Sequence, residues 1–423
     1  MDSPPVFDRA AIFKLSPEIM EMILSLLSVP DLARMALVCR AISAIAVPKL
    51  YHTILLVDGG DSSPLQRLQC TLFWNPGLLE HTRSLSLRDF NMQLLTVENR
   101  VTLDALVNAS PNVRSFSLVE IRDRGHRLDL CPTTFKVLRD SVRRMRRVEN
   151  LHLRTGSFTL RELMEALNDA PSLTSLSIYG YSKVEQGADE NDMFYRSSNI
   201  TTLNLKVSFE TSNELEKLIE WPRRLVHFRD ETFGKHCASS QKVIIKFLGI
   251  HKKTLESLDI GFVLNKRCTL RPLLGGFGSL ERLTLPVRQL CIGGGHPTSR
   301  KLKAILARNL RTITLDFSLA GLRTGYSLHF QDVHESLIRA IVVAAVEKKA
   351  SLMAIDIYFA PIPKKGSGLK IARRLGVRGT KYPWDTLDRI KDDIRTHGIQ
   401  LTYNPPNVSK RQWKQQAKNE KKD

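Results

Sequence analysis

Leu173-Thr-Ser-Leu-Ser-Ile178 is the stretch that decides the fold of this 423-residue chain. Its first, fourth and sixth residues are apolar, and its second half alternates as a strand with one buried face does. The same pattern returns in six other clear copies: Val113–Leu118, Val148–Leu153, Ile200–Leu205, Leu255–Ile260, Leu280–Leu285 and Leu310–Leu315. Weaker copies are Thr82–Leu87, Leu225–Asp230 and Leu352–Ile357, and further strands are predicted at Thr53–Val57 and Ile399–Tyr403.

Helical segments are predicted between the copies, at 160–168, 212–220, 240–250, 300–307 and 334–348. One strand and one helix leave an apolar face bare, and only stacked neighbours cover it. The spacing of roughly 25 to 42 residues lies within or just above the range of leucine-rich repeats. Residues 78–403 therefore resemble a degenerate leucine-rich-repeat α/β solenoid with a parallel sheet. An ordinary α/β sheet protein is the alternative.

The N-terminal segment Phe13–Tyr51 predicts three short helices. Ser16 is a good helix N-cap, and Pro17 suits the first helical position, where its missing N–H costs nothing. Pro30 and Asp31 begin a second helix, and Pro48 closes a third. The residues that recur at the spacing of one apolar helical face are Ile19, Met22, Ile23, Leu26 and Leu27.

The residue order in these helices resembles the F-box, the motif that docks a Skp1-type adaptor in cullin-based ubiquitin ligases. The matching pieces are Leu15, Pro17-Glu18-Ile19, Ile23, Leu26-Leu27, Pro30-Asp31-Leu32 and Leu37-Val38-Cys39-Arg40. The resemblance implies adaptor contacts by Leu15, Pro17, Ile19, Ile23, Leu26, Leu32, Val38 and Cys39. Two positions depart from the family pattern: Ser16 replaces a usual proline, and Ile42 stands where tryptophan is frequent. The alternative is a helical cap on the repeats.

The expected domain organisation follows from these two patterns. Residues 1–11 are expected to be flexible, 12–52 to form the small α-helical F-box-like domain, and 53–77 to be a linker with a first strand. The solenoid covers 78–403 and contains a basic insert at 361–383, and a disordered basic tail covers 404–423.

Composition limits the class of protein. No apolar run is long enough for a membrane span, and the N-terminus lacks the basic start of a signal peptide. Six scattered cysteines favour a reduced, intracellular protein without a metal site. We expect the protein in the cytoplasm or nucleus, and we expect no cofactor. The net charge of +20 raises the possibility of nucleic-acid contact, although only the tail is densely basic. A solvated tail and a nucleic-acid contact both stay open.

Catalytic motifs for nucleophilic, zinc or P-loop chemistry are absent from the sequence, so we expect no enzyme. As the resemblance implies, the chain would be the substrate-recognition subunit of a Skp1–cullin–F-box ubiquitin ligase. The alternatives are an F-box-like scaffold outside a ligase and a basic nucleic-acid-binding repeat protein. Strand alternation predicts an outward row that would bind an acidic or phosphorylated protein substrate. Its candidate residues are Arg88, His152, Arg154, Tyr179 and Lys206.

Overall fold

The structure is a computed structural model that describes thirteen stretches of the chain. They are 15–57, 63–90, 97–120, 132–183, 194–209, 211–231, 241–260, 274–291, 297–317, 330, 332–358, 382–406 and 409–412. The chain divides into a first compact unit, residues 1–156 and 162–173, and a second unit, residues 157–161 and 174–423. The predicted flexible N-terminus, almost all of the basic insert and most of the basic tail lie outside the described residues.

Three helices open the first unit: α1 (Pro17–Ser25), α2 (Val29–Ala36) and α3 (Arg40–Leu50). The predicted N-cap is confirmed, because the Ser16 hydroxyl accepts a hydrogen bond from the Ile19 N–H at 3.4 Å. Ser28 caps α2 in the same way. Pro48 does not close α3 but lies inside its last turn. The helices pack around a small core of Met20, Leu24, Leu32, Ile42 and Ala46.

Among the described residues, four parallel strands that lie wholly or mostly in the first unit follow one another in sequence order. They are β1 (Thr53–Val57), β2 (Ser84–Phe90), β3 (Ser115–Glu120) and β4 (Asn150–Thr159). The helices after β1 are α4 (Ser63–Trp74), α5 (Val97–Asn108), α6 (Pro132–Arg144) and α7 (Leu160–Leu167), with a 3-10 turn at Pro76–His81. Because β1 pairs with β2 along its whole length, the sheet begins upstream of the boundary expected at residue 78.

The second unit continues the same alternation with eight parallel strands in sequence order. They are β5 (Ser175–Lys183), β6 (Thr202–Phe209), β7 (His227–Asp230), β8 (Ser257–Ile260), β9 (Arg282–Pro286), β10 (Thr312–Asp316), β11 (Ala354–Tyr358) and β12 (Gln400–Tyr403). Its helices are α8 (Ser212–Glu220), α9 (Gln241–Leu248), α10 (Val287–Leu290), α11 (Ser299–Ile305), α12 (Asp332–Lys348) and α13 (Pro383–Arg395). The parallel repeat architecture predicted from the sequence is therefore confirmed.

The register of these strands aligns the leucines of the sequence repeat. One row of the second unit pairs Leu176, Leu203, Phe228, Leu258, Leu283, Ile313, Ile355 and Leu401, strand by strand. Every side chain in this row is at most 2% exposed. In the next inward row, the weak copy at β7 places a polar residue: Asp230 pairs with Leu205 of β6 on one side and with Ile260 of β8 on the other. The inward rows form the core, and the intervening residues face outward.

We predict that Leu203→Ala lowers the free energy of unfolding by about 2–5 kcal/mol, because it empties a buried position between two occupied ones. Urea unfolding of the full chain measures the change. Thr202→Ala, one residue away on the outward face, is the control and should change the free energy by less than about 1 kcal/mol. Equal effects of the two variants would contradict the assigned register.

One buried histidine gives the second unit a pH dependence. His334 of α12 packs against the rings of Phe317 and Phe330, with centroid distances of 5.1 and 5.8 Å. Burial lowers the pKa of its imidazole from 6.5 to about 4. Between these values the unfolded chain binds a proton that the folded chain does not, so folding weakens as the pH falls.

We predict that His334 alone removes up to about 3 kcal/mol of stability between pH 7 and pH 4. The variant His334→Phe keeps an aromatic ring there and has no titrating group. Its unfolding free energy should therefore decline less steeply over this range than that of the unmodified chain. Parallel urea titrations at pH 7, 5.5 and 4 measure the difference, and superimposable pH profiles would contradict the assignment.

Candidate functional site

An exposed apolar surface covers one side of α1 and both ends of α2. The core side of α1 is formed by Met20 and Leu24, so the apolar stripe seen in the sequence faces away from the core, except for the partly buried Leu27. We call the exposed set the α1–α2 surface; it consists of Leu15, Ile19, Met22, Ile23, Leu26, Val29, Leu37 and Val38. Leu26 and Leu37 are 86% and 87% exposed. A cluster of this kind is typical of a protein-binding surface.

The adaptor-contact residues predicted from the sequence separate into two groups. Those with exposed side chains are Leu15, Pro17, Ile19, Ile23, Leu26 and Val38. Leu32 is only 6% exposed and belongs to the core, and the half-buried Cys39 packs against that core. The residue Ile42, which replaces the frequent tryptophan, is also a core residue. The departure at Ile42 therefore lies in the core of the bundle and not on the α1–α2 surface.

Sequence patterns did not single out three members of the α1–α2 surface as contacts: Met22, Val29 and Leu37. Met22 belongs to the apolar periodicity, and Leu37 lies off the buried stripe of α2. The signal that identifies them is an apolar side chain at a position that the helical core does not use.

The helical bundle is joined closely to the first strands. Lys49 of α3 pairs with Glu21 of α1 at 3.1 Å. Beyond α3, the carbonyl of Tyr51 accepts a hydrogen bond from the Thr82 hydroxyl at 2.9 Å. The carbonyl of His52 accepts from the N–H of Arg83, also at 2.9 Å. These bonds fix the end of the bundle to the start of β2.

The outward face of the first unit brings together three of the predicted substrate residues. Arg88 on β2 and Arg154 on β4 both pair with Val119 of β3, so they lie in one row. His152 lies two residues before Arg154 on β4. Burial lowers the pKa of the His152 imidazole, and the charges of Arg88 and Arg154 lower it further. The two guanidinium groups therefore lie close enough to the imidazole to act on its charge.

The other two predicted substrate residues form a paired network in the second unit. The Lys206 ammonium lies 5.7 Å from the ring centre of Tyr179 and 3.5 Å from the Glu231 carboxylate. Arg229 pairs with Glu231 and, at 3.2 Å, with Asp259. Burial raises the pKa of the Asp259 carboxyl to about 6, although Arg229 opposes the shift. Lys206 is thus a neutralised cation, and no sequence signal indicated Glu231 as its partner.

Other parts of the described structure offer little chemistry. A cleft of about 660 Å³ in the second unit is lined by residues that include Glu256, Glu281 and Arg311, and it shares no residue with the predicted sites. Among the described residues, no group of histidine, cysteine or acidic side chains has the arrangement of a metal site. The described helices include none with both the length and the hydropathy to cross a bilayer.

Comparisons with known proteins bear on the N-terminal helices and on the strands. Residues 17–57 match the family model described as F-box-like. Comparison with curated proteins gives no significant match. Among solved structures, the chain is similar to the leucine-rich repeat-containing protein LegL7 from Legionella pneumophila. The identity is 15% and the TM-score 0.39, over 70% of this chain and 93% of the other.

The family match and the strand register together identify the parts of the chain. The match spans α1, α2, α3 and β1, and the parallel strands then continue through both units. The chain therefore carries an N-terminal F-box-like domain, followed by a leucine-rich-repeat-like region of parallel strands and helices.

Proposed function

We propose that this chain is the substrate-recognition subunit of a Skp1–cullin–F-box type ubiquitin ligase. F-box domains generally bind Skp1-type adaptors. The observation that carries the proposal is the α1–α2 surface, which presents apolar side chains on a domain of that family. The five predicted contacts with large apolar side chains on this surface are Leu15, Ile19, Ile23, Leu26 and Val38.

Burial of the α1–α2 surface supplies the binding energy in this proposal. Covering an exposed leucine or isoleucine side chain contributes about 1.5–3 kcal/mol. Leu26 and Leu37 gain the most, since nearly all of their side-chain area is exposed. The bundle is already ordered by its core together with its bonds to the start of β2, so little ordering cost opposes the association.

The repeats hold the protein substrate in this proposal. The candidate contacts are Arg88, His152 and Arg154 in the first unit and Tyr179 and Lys206 in the second. The chain itself breaks and forms no bond. It raises the effective concentration of substrate lysines near a ubiquitin-charged enzyme, within the cytoplasm or nucleus.

We predict that Leu26→Asp and Val38→Asp each reduce adaptor recovery by about tenfold or more, because a carboxylate then has to be buried against the adaptor. Co-purification of tagged full-length chain with a Skp1-type adaptor, followed by quantitative blotting, measures the loss. Surface substitutions are preferable to deletion of the helices, since deletion would also remove the Tyr51 carbonyl that anchors Thr82.

The matched control is the pair Val343→Asp and Val346→Asp on α12, two exposed apolar residues of a helix outside the F-box-like domain. These variants should retain full adaptor recovery. Undiminished recovery with Leu26→Asp and Val38→Asp would show the proposal to be wrong. Recovery of adaptor without cullin would instead favour a scaffold outside a ligase.

A further inference from the structure

The outward face of β2, β3 and β4 in the first unit carries two exposed arginines, Arg88 and Arg154. Neither Arg88 nor Arg154 forms an ion pair with any described residue. The outward positions around them are serines, Val119, Asn150 and His152, with no carboxylate among them. This pattern differs from the second unit, where Glu231 neutralises Lys206.

Strand geometry allows the two arginines to converge. They lie in the same row, two strands apart, so their Cα atoms are separated by about 9–10 Å. Each guanidinium is carried on a long, flexible stem and offers parallel N–H groups to two oxygens. Both groups also lower the pKa of the intervening His152, which places their charges around the same point of the face.

A buried hydroxyl at the same face lacks a partner. Ser86 of β2 is 8% exposed, and its Oγ has no hydrogen bond to any described residue. It lies two residues before Arg88 and is in register with Ser117 and, one strand further, His152. Buried polar groups in folded proteins almost always have a partner, so an unpaired one calls for an explanation. A bound group with several oxygens would supply that partner.

We propose that Ser86, Arg88, His152 and Arg154 bind the phosphate monoester of a phosphorylated serine or threonine. The inference rests on the proposed function, which makes that residue part of the protein segment held by the repeats. A phosphate monoester carries nearly two charges and three acceptor oxygens, enough for two guanidinium groups and a hydroxyl. A single carboxylate offers only two oxygens and one charge.

A nucleic acid fits this face less well. Proteins that bind single strands combine a basic groove with aromatic side chains on which bases stack. None of the described outward positions of β2, β3 and β4 with a placed side chain is aromatic. Among the described outward positions of these three strands, the arginines are Arg88 and Arg154, and two guanidinium groups suit one phosphate group better than a continuous backbone.

The test uses the purified full-length chain and three peptide libraries with random flanks. Their fixed central residue is phosphoserine, serine or glutamate. We expect the phosphoserine library to be retained about tenfold or more above the serine library, with glutamate in between. The double variant Arg88→Gln and Arg154→Gln should lose this preference. Equal retention of the three libraries would overturn the proposal.

The matched control is Arg67→Gln with Arg139→Gln, which removes the same charge from exposed helical positions of the same unit. It should retain the preference, and an equal loss would show that only net charge matters. Ser86→Ala should reduce phosphopeptide retention without lowering the melting temperature, since the hydroxyl has no partner among the described residues. Unchanged retention would remove Ser86 from the site.

Displacement of the phosphopeptides by a mixed single-stranded oligonucleotide at equal concentration would favour nucleic acid and overturn the proposal.

This experiment is independent of adaptor binding. The binding assay contains no adaptor, and the four residues lie outside the α1–α2 surface. If phosphopeptide retention fails while adaptor recovery is normal, only this inference is wrong. If adaptor recovery fails while phosphopeptides are retained, the proposed function is wrong and the anion site stands.

Discussion

A repeated pair of backbone hydrogen bonds sets the register on which the strands depend. Before most strands, one carbonyl accepts from two successive N–H groups of the next repeat. The Thr201 carbonyl accepts from Val226 and His227 at 2.8 and 2.9 Å, and the carbonyls of Glu256 and Glu281 do the same two and three repeats further on. Because the side-chain period of a strand is two residues, a slip of one residue would turn every buried leucine outward. The apolar rows and the double bonds therefore enforce the same alignment.

The same register decides what the outward face offers. Residues that are far apart in sequence become neighbours in a row, as Arg88 and Arg154 do across β3. Whether such a row can bind a ligand then depends on its local charge balance. Lys206 has Glu231 as a counter-ion, whereas the two arginines of the first unit have none among the described residues. Three cations that looked equivalent in the sequence therefore differ in their charge pairing.

The F-box-like domain is structurally continuous with the first strands. Its family match ends in β1, and β1 is also the edge strand that pairs with β2. The Tyr51 carbonyl and the buried Thr82 hydroxyl connect the end of α3 to the same sheet. A bundle of three short helices buries too little apolar surface to be stable by itself. The hydrogen bonds to Thr82 and Arg83 attach the bundle to the strands, while the apolar residues of the α1–α2 surface stay exposed.

The sequence by itself determined the repeat, the strands and the parallel α/β architecture, because leucine spacing is a local signal. Even the weak copies at β7 and β11 were identified from it. Ser16 and Pro17 likewise predicted the start of α1. Three helices of the first unit, α4 to α6, were not predicted from the sequence. In α4 and α5 the apolar residues have only weak helical periodicity and are mixed with polar residues.

Only the tertiary structure decided which apolar residues of the N-terminal helices are core and which are surface. Periodicity finds an apolar face but does not say which partner covers it, so Leu32 and Leu26 looked alike until the bundle was seen to use only Leu32. Strand alternation placed Ser86 on the outward face, but only the structure shows that its buried hydroxyl has no partner among the described residues, because pairing is defined by the atoms that surround it. Charge pairing across strands cannot be read from the sequence either, because the counter-ion of Lys206 is Glu231, which belongs to a different repeat.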